Sequence, residues 1–582
     1  MSDWTLKKKK IDIKTLMDDW NISFPLACVL STRKISDFKE ISSFIGAGES
    51  GFEDITDFKD IRLCYEILKN AIEEGKKICI YGDYDVDGVM STVIIYKVLT
   101  ELGAYVNYFI PDRVKDGYGL NKRAVKDIRD RGYEILLTCD NGIAALEEID
   151  YAKSMGMTTI IFDHHEPHTK DEKQVIPSAD VVVDAKAEGC GYSFKYMCAA
   201  GLCYRIAEGF YKYLGAEFES KDEMLLFAGI ATVCDSVELV GENRTIVKKA
   251  LEIVNKTEVK NIGLRALINR SALKDINEFH FGFVIGPCIN ACGRLGNAKT
   301  AVELFITSEP IVAEETAREL FELNEKRKKI TDEGRERIEE SILKSDIKND
   351  IVTVVYDDTL HESVAGIIAG RLKEEYNKPT FVLTNAQDCI KGSGRSIENY
   401  NMVYELSKCE SLLTKYGGHA MAAGLSLKKE DIDKLRLALN KNTTLTPKDI
   451  VKKYRAEGLI ELKDITVKAA EEIKRMSPFG AKNEKPVFVS KALFTKRISF
   501  MGSEKQYFSL VLEDKYSNRI RAVDFKNAQI LRTMLKDKGY TDENCEYAQL
   551  CLDVLYTLDV DEYREKKSAV LRLIDLRESR YL

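Results

Sequence analysis

The chain has 582 residues, which at about 150 residues per domain predicts three to four domains. Charged residues make up 31% and apolar residues 45%, a globular balance that excludes a disordered chain, and no apolar run reaches the roughly 20 residues of a membrane span. The 87 Lys and Arg against 94 Asp and Glu leave a net charge of −7, which argues against wrapping duplex DNA over the whole surface but leaves room for a local basic groove. The 14 cysteines contain no CxxC pair, and Met1–Asp12 carries four lysines and no apolar signal segment. Reduced thiols and a cytoplasmic location are the expectation.

In chain order, residues 1–75 read as an N-terminal extension packing on the catalytic lobe. From Lys76 strand, loop and helix alternate, starting with Lys77–Tyr81 and a helical stretch Val89–Leu102. Further strands follow at Tyr105–Ile110, Glu134–Thr138, Met157–Phe162 and Val181–Val183. This alternation predicts an α/β fold, a mostly parallel sheet with helices on both faces over residues 76–310, and its polar clusters all follow strand carboxyl ends. Residues 311–348 carry many charges and read as a long connecting helix. A second, smaller α/β lobe spans 349–450. From 451 to 582 short strands, among them Val487–Val489, Tyr507–Leu512 and Leu550–Tyr556, predict an oligonucleotide-binding (OB) type β-barrel. Val451–Phe500 holds twelve Lys and Arg against six Asp and Glu, which favours a groove for single strands over a merely solvated face.

Three carboxylates at alternate positions, Asp83, Asp85 and Asp87, follow the first strand, and like charges so close need a cation or protons. Counting twelve positions from Asp83 reaches Ile94, not the glutamate of a calcium EF-hand, and the cluster follows a strand; Mg²⁺ or Mn²⁺ suits it better. Asp140 follows the third strand. Asp163-His164-His165-Glu166 follows the fourth and places two of the six histidines side by side. Asp235 closes an apolar helical stretch. Acids and imidazoles converging on one sheet edge predict a two-metal site for phosphodiester hydrolysis, in which metals neutralise phosphoryl charge. No Walker A sequence is present. Cys288 and Cys292 read as buried thiols, and His168 and His280 as surface or packing residues.

The set DYDVDG, TCDNGI, DHHE and ATVCDS resembles the DHH phosphoesterases. Further blocks, GPCINACGRLG, HESVAGIIAGRL, GSGRSI and YGGHAMAAGL, resemble the RecJ single-stranded-DNA exonucleases in the same order. The resemblance implies a DHH lobe, a DHHA1-like substrate lobe and an OB-type barrel. It implies two Mn²⁺ or Mg²⁺ ions, with Asp85 and Asp140 on one and Asp83 nearby. Asp87, Asp140, His164 and Asp235 would hold the other, Asp140 bridging, and His165 would touch the scissile phosphate. Tyr81 stands where some DHH relatives have a histidine, which implies a looser hold on the first ion. Substrate would meet Arg113, Asn290, Arg294, Ser393, Arg395, Gly417, Gly418 and His419, with the arginines on a terminal phosphate.

The implied activity is 5′-to-3′ hydrolysis of single-stranded DNA in recombination and repair, by a monomer working with helicase or single-strand-binding partners. Two rivals are a DHH phosphodiesterase on short oligoribonucleotides or cyclic dinucleotides, and an inactive DNA-binding scaffold. The region after Ala456 argues against the first, and the complete set of matched aspartates with His164 argues against the second.

Overall fold

Five apolar runs between Lys77 and Asp184 form one all-parallel sheet: β1 (Lys77–Tyr81), β2 (Tyr105–Phe109), β3 (Ile135–Cys139), β4 (Thr158–Asp163) and β5 (Val181–Asp184), ordered β2-β1-β3-β4-β5. Side chains alternate across it with period two. Ile78 and Ile80 join one core with the helices α1 (Val86–Glu101), α2 (Ala199–Leu214) and α3 (Lys221–Cys234), while Cys79 and Tyr81 join a second core on the opposite face. Strand order reverses between β1 and β3, the point at which such sheets open a crevice beyond their carboxyl ends.

The computed structural model describes residues 2–45, 51–113, 116–117, 119–386, 389–564 and 566–580. It divides into two units, residues 51–451 and residues 1–50 with 452–582. In the first unit the sheet lobe continues through helix α4 (Gly286–Leu295) into α5 (Pro310–Lys344), 35 residues long. Ala317 and Leu320 of α5 belong to the catalytic core, and Ile338 and Ile342 to a core of the second lobe. One helix is therefore anchored in both lobes, as its uninterrupted charged pattern predicts. The second lobe is a sheet ordered β9-β10-β8-β7-β6, with β6 (Thr353–Tyr356), β7 (Thr380–Asn385), β8 (Ile390–Arg395), β9 (Lys415–Gly418) and β10 (Ala422–Leu427), and helix α6 (Glu362–Tyr376). Only the β6–β7 pair is parallel.

The other unit is a closed barrel. Its strands are β11 (Gly458–Leu459), β12 (Phe488–Met501), β13 (Tyr507–Glu513), β14 (Arg519–Asp524), β15 (Cys551–Tyr563) and β16 (Lys566–Glu578). The order is β11-β12-β13-β14-β16-β15, and β12 pairs with β15 to close the ring. The expected short strands at Val487 and Leu550 are instead the beginnings of strands of 14 and 13 residues. Register shifts at Ser490/Leu493 and Thr495/Arg497, with Ala492 at φ 53°, bend β12 so that it serves two neighbours.

The extension of residues 1–75 does not pack as expected. Its first part belongs to the barrel unit: Asp3–Leu6 pairs in parallel with Lys453–Ala456, and Leu16, Leu26, Val29 and Leu30 are buried with Ile460, Ile473 and Leu552. Only the part after residue 50, including helix Ile61–Glu74, joins the catalytic core. Amphipathic helices demand an apolar partner but do not name it.

Candidate active site

Tight local geometry sets the DYDVDG turn. Asp85 caps α1, accepting from Asp87 N at 3.0 Å and Gly88 N at 3.1 Å. A Cβ at Gly88 would lie 2.6 Å from the Asp83 backbone, so only glycine lets that turn close. Asp87 lies within the first turn of α1, and its carboxylate accepts from Ala199 N (2.7 Å) and Ala200 N (2.8 Å) at the start of α2. The N–H groups at a helix N-terminus, free of intrahelical partners, favour a negative charge there. Asp140 takes a left-handed conformation, φ 64°, that short polar side chains tolerate. Next to it, Asn141 Nδ2 donates to Tyr81 O and Cys139 O, tying the ends of β1 and β3 together.

Beyond β4 the organiser is Asp163, which accepts from the backbone N of Ile143, His164 and His165, and its Oδ1 lies 2.7 Å from His165 Nδ1. His164 Nε2 lies 3.2 Å from Asp140 Oδ1, 3.5 Å from Asp87 Oδ2 and 3.8 Å from Asp235 Oδ2. Asp235 caps the end of α3. The fold thus assembles three groups whose donor atoms lie within 4.8 Å of one another: Asp83, Asp85 and Asp140; Asp87, His164 and Asp235; and Asp140, His164 and His165.

The electrostatics are those of a cation site. Burial, then the Asp85 charge, pushes Asp83 up to about 7; burial, then Asp87 and Asp85, pushes Asp235 up to about 8. Asp87 and Asp140 are raised as well, chiefly by burial. Burial lowers His164 and leaves its ring neutral and able to donate a lone pair. Burial opposes the charge on His165, but the hydrogen bond and charge of Asp163 prevail and bring it to about 9. Asp83 Oδ1 is buried with no hydrogen-bond partner among the described residues. Orphaned buried carboxylate oxygens beside a neutral imidazole fit divalent cations, and these donors suit Mg²⁺ or Mn²⁺. Tyr81 offers no ligand: its hydroxyl donates to Gly119 O at 3.0 Å within the apolar layer below the sheet.

A cavity of about 380 Å³ lies between the two lobes of this unit, lined by Tyr84 and Arg113 on one side and by Ser363, Lys391, Ser393, Lys415 and Gly417 on the other. The Arg113 guanidinium sits 5.0 Å from the centre of the Tyr84 ring, within range of a cation–π attraction. Arg294 Nη1 donates to Ser363 O at 2.8 Å, joining α4 to α6. Burial, then the nearby charges of Arg113 and Arg327, lowers Arg294 to about 10; burial and then Arg113 lower Arg395. Among the described residues no carboxylate lies within ion-pair distance of Arg294 or Arg395. Guanidinium groups held close enough to lower one another form a site that a phosphate would suit.

The remaining residues expected at the site are placed more loosely. Gly418, at φ 135°, shapes the exposed turn between β9 and β10 that carries His419, outside the cavity lining. Asn290 is half-buried on α4, one turn before Arg294. Tyr84, Lys391 and Lys415 line the cavity but were not expected at the site; Tyr84 lies within the DYDVDG block, and each lysine directly precedes a recognised block. The Cys288 thiol is buried, donating to Val284 O, as expected.

Against known proteins, the chain matches the models of the DHH family N-terminal domain over residues 77–231, the DHHA1 domain over 349–444 and the RecJ OB domain over 456–575. It is 34% identical to the single-stranded-DNA-specific exonuclease RecJ of Bacillus subtilis, over 90% of this chain and 66% of that protein, so it spans about two thirds of that relative's length. To the RecJ of Escherichia coli it is 30% identical, over 73% of this chain and 76% of that one. A crystal structure of RecJ in complex with Mn²⁺ from Thermus thermophilus superposes with a TM-score of 0.81 at 22% identity, covering 100% of this chain and 80% of that one. Matches to all three domain models along the chain, and 30% identity to a RecJ of which it covers 76%, place it in the RecJ family of single-stranded-DNA-specific exonucleases.

Proposed function

We infer that the protein hydrolyses single-stranded DNA from its 5′ end, with Mn²⁺ or Mg²⁺ held at the carboxylate–histidine cluster. The observation that carries this reading is Asp140, a buried carboxylate shared between the group with Asp83 and Asp85 and the group with His164 and His165. Asp83, Asp85 and Asp140 would hold one ion, and Asp87, Asp140, His164 and Asp235 the other. When bound, the ions supply charge neutralisation at the phosphoryl group and lower the pKa of water. His165, kept cationic by Asp163, donates to a phosphate oxygen. Arg113, Arg294, Ser393 and Arg395 grip the terminal phosphate, with Gly417 leaving open space beside it. Gly418 shapes the turn that brings His419 toward the substrate, and Asn290 supports Arg294. A β-barrel suited to single strands adds a sequence-tolerant grip, which supports long DNA over short oligoribonucleotides or cyclic dinucleotides as substrate. The same reading has a monomer acting in recombination and repair beside helicase or single-strand-binding partners.

The test uses purified protein, Mn²⁺ and internally labelled single-stranded DNA, with a free 5′ phosphate or a blocked 5′ end, beside RNA of equal length. Progressive release from the free DNA and protection by the block are expected. Cleavage of short RNA alone, or tight binding of DNA without cleavage, would overturn the reading.

A further inference from the structure

Residues 278–286 run Glu-Phe-His-Phe-Gly-Phe-Val-Ile-Gly and form a helical turn, Glu278–His280, that passes into a π-helical segment, Phe281–Ile285. Its inner face is ordinary: Phe281 and Ile285 are fully buried in the catalytic core. Its outer face is not. Phe279 and Phe283, four residues apart, are 57% and 69% exposed, where an amphipathic helix normally places polar groups. Their rings stack on each other, with centroids 4.9 Å apart and planes inclined by 18°. Two exposed, pre-stacked aromatic rings form an apolar surface that a soluble protein keeps at a cost in solubility.

Their location suggests a use. The Phe281 carbonyl accepts from the Cys234 thiol, and a Cβ on Gly282 would lie 3.2 Å from Val233 Cγ1. The segment is thus packed on the last two residues of α3, directly before Asp235, whose carboxylate belongs to the cation cluster. Single-step π insertions recur at functional sites because they re-aim side chains without breaking the helix. We propose that Phe279 and Phe283 form a base-stacking platform beside the Asp235 side of the active site, on which a nucleobase of the single strand lies while its backbone is cut. Every base has a π-face, so such a platform holds DNA without reading its sequence. The proposal rests on the nuclease reading and gives that reading a positioning element outside the phosphate contacts.

The experiment compares the parent protein with F279A/F283A and F279Y/F283Y. Three readouts are taken: hydrolysis of bis(p-nitrophenyl) phosphate, which has no base; affinity for single-stranded DNA in EDTA; and quenching of 2-aminopurine placed at successive positions of the strand. Stacking on the platform predicts unchanged hydrolysis of the small ester in all three proteins. It predicts roughly tenfold or greater loss of DNA affinity in the alanine variant, quenching confined to one or two positions and lost with it, and retention of both in the tyrosine variant. Unchanged DNA affinity and quenching in F279A/F283A would overturn the proposal, as would equal losses in the tyrosine variant. A concentration-dependent dimer of the parent that the alanine variant abolishes would assign the surface to a second copy instead and also overturn it. Loss of small-ester hydrolysis in the alanine variant would show that the phenylalanines serve the metal centre structurally, which likewise overturns it. A parent that hydrolyses the small ester but neither binds nor cuts DNA would refute the nuclease reading itself, and this outcome is distinct from the others.

Discussion

Replacing Asp140 by asparagine keeps the size of the side chain and removes its charge, and the structure predicts opposite effects on activity and on metal-free stability. The donor atoms of Asp83, Asp85 and Asp140 lie within 4.8 Å of one another. At that separation and an effective permittivity of about 20, two ionised carboxylates repel by about 3 kcal/mol. Without metal, then, Asp140→Asn should stabilise the unit of residues 51–451 at alkaline pH, by about 3 kcal/mol for each ionised carboxylate so placed once Asp140 is itself ionised. The effect has a defined pH dependence. Asp83, at about 7, and Asp235, at about 8, are raised above the roughly 4 of an unfolded aspartate. The folded protein therefore binds more protons than the unfolded chain between about pH 4 and 8, and metal-free parent protein loses stability as pH rises through that window. Near pH 5 Asp83 and Asp235 are protonated, and variant and parent should differ less. Urea unfolding in EDTA at pH 5 and 8.5, followed by far-UV circular dichroism, measures this. The two tryptophans, Trp4 and Trp20, both lie in the other unit, so their fluorescence transition is an internal control expected not to move. In Mn²⁺ the variant should show no measurable hydrolysis. A variant less stable than the parent at pH 8.5 in EDTA, or one that still hydrolyses DNA well, would refute the shared-carboxylate argument.

Three further outcomes are expected. Asp163→Asn removes the partner that holds His165 cationic, so the alkaline limb of the pH–rate profile should move down from about 9; an unmoved limb with full activity would exclude this role. Gly293→Ala would drive a methyl group into the Tyr84 carbonyl and shift the DYDVDG turn, lowering kcat at least tenfold with little change in melting temperature; calorimetry beside steady-state rates separates the two. Fragment 51–451, which keeps its own cores, should hydrolyse very short strands while binding long ones at least tenfold more weakly. Equal loss on both lengths, measured by gel assay, would mean that the barrel is needed for the fold of the catalytic lobes.

The carboxylates and imidazole that the fold brings together were legible because each follows an apolar strand or helix, and a carboxylate at the end of a buried run in a parallel-sheet lobe has few places to point. Asp163 was not, although it stands beside His164: a carboxylate that accepts four N–H contacts looks the same in sequence as one that binds a cation. The length of β12 was hidden because bulges at Ser490 and Thr495 break the alternation on which strand reading depends. The cavity lysines, Lys391 and Lys415, were invisible because a surface lysine carries no pattern until the fold turns it toward a cleft.

The partner of residues 2–45 also has a consequence for biosynthesis. These residues leave the ribosome well before the strands against which Leu26, Val29 and Leu30 are buried, which come after residue 457. At about 5–20 residues per second, the helices wait roughly half a minute or longer with their apolar faces bare. The catalytic lobes can fold during that interval, since no residue of the early segment belongs to their cores. The barrel unit closes later, once its last strand, Lys566–Glu578, has emerged. A nascent chain stalled near the end of residues 51–451 should therefore carry an active-site domain already formed behind a sticky earlier segment, a natural client for chaperones that hold apolar helices.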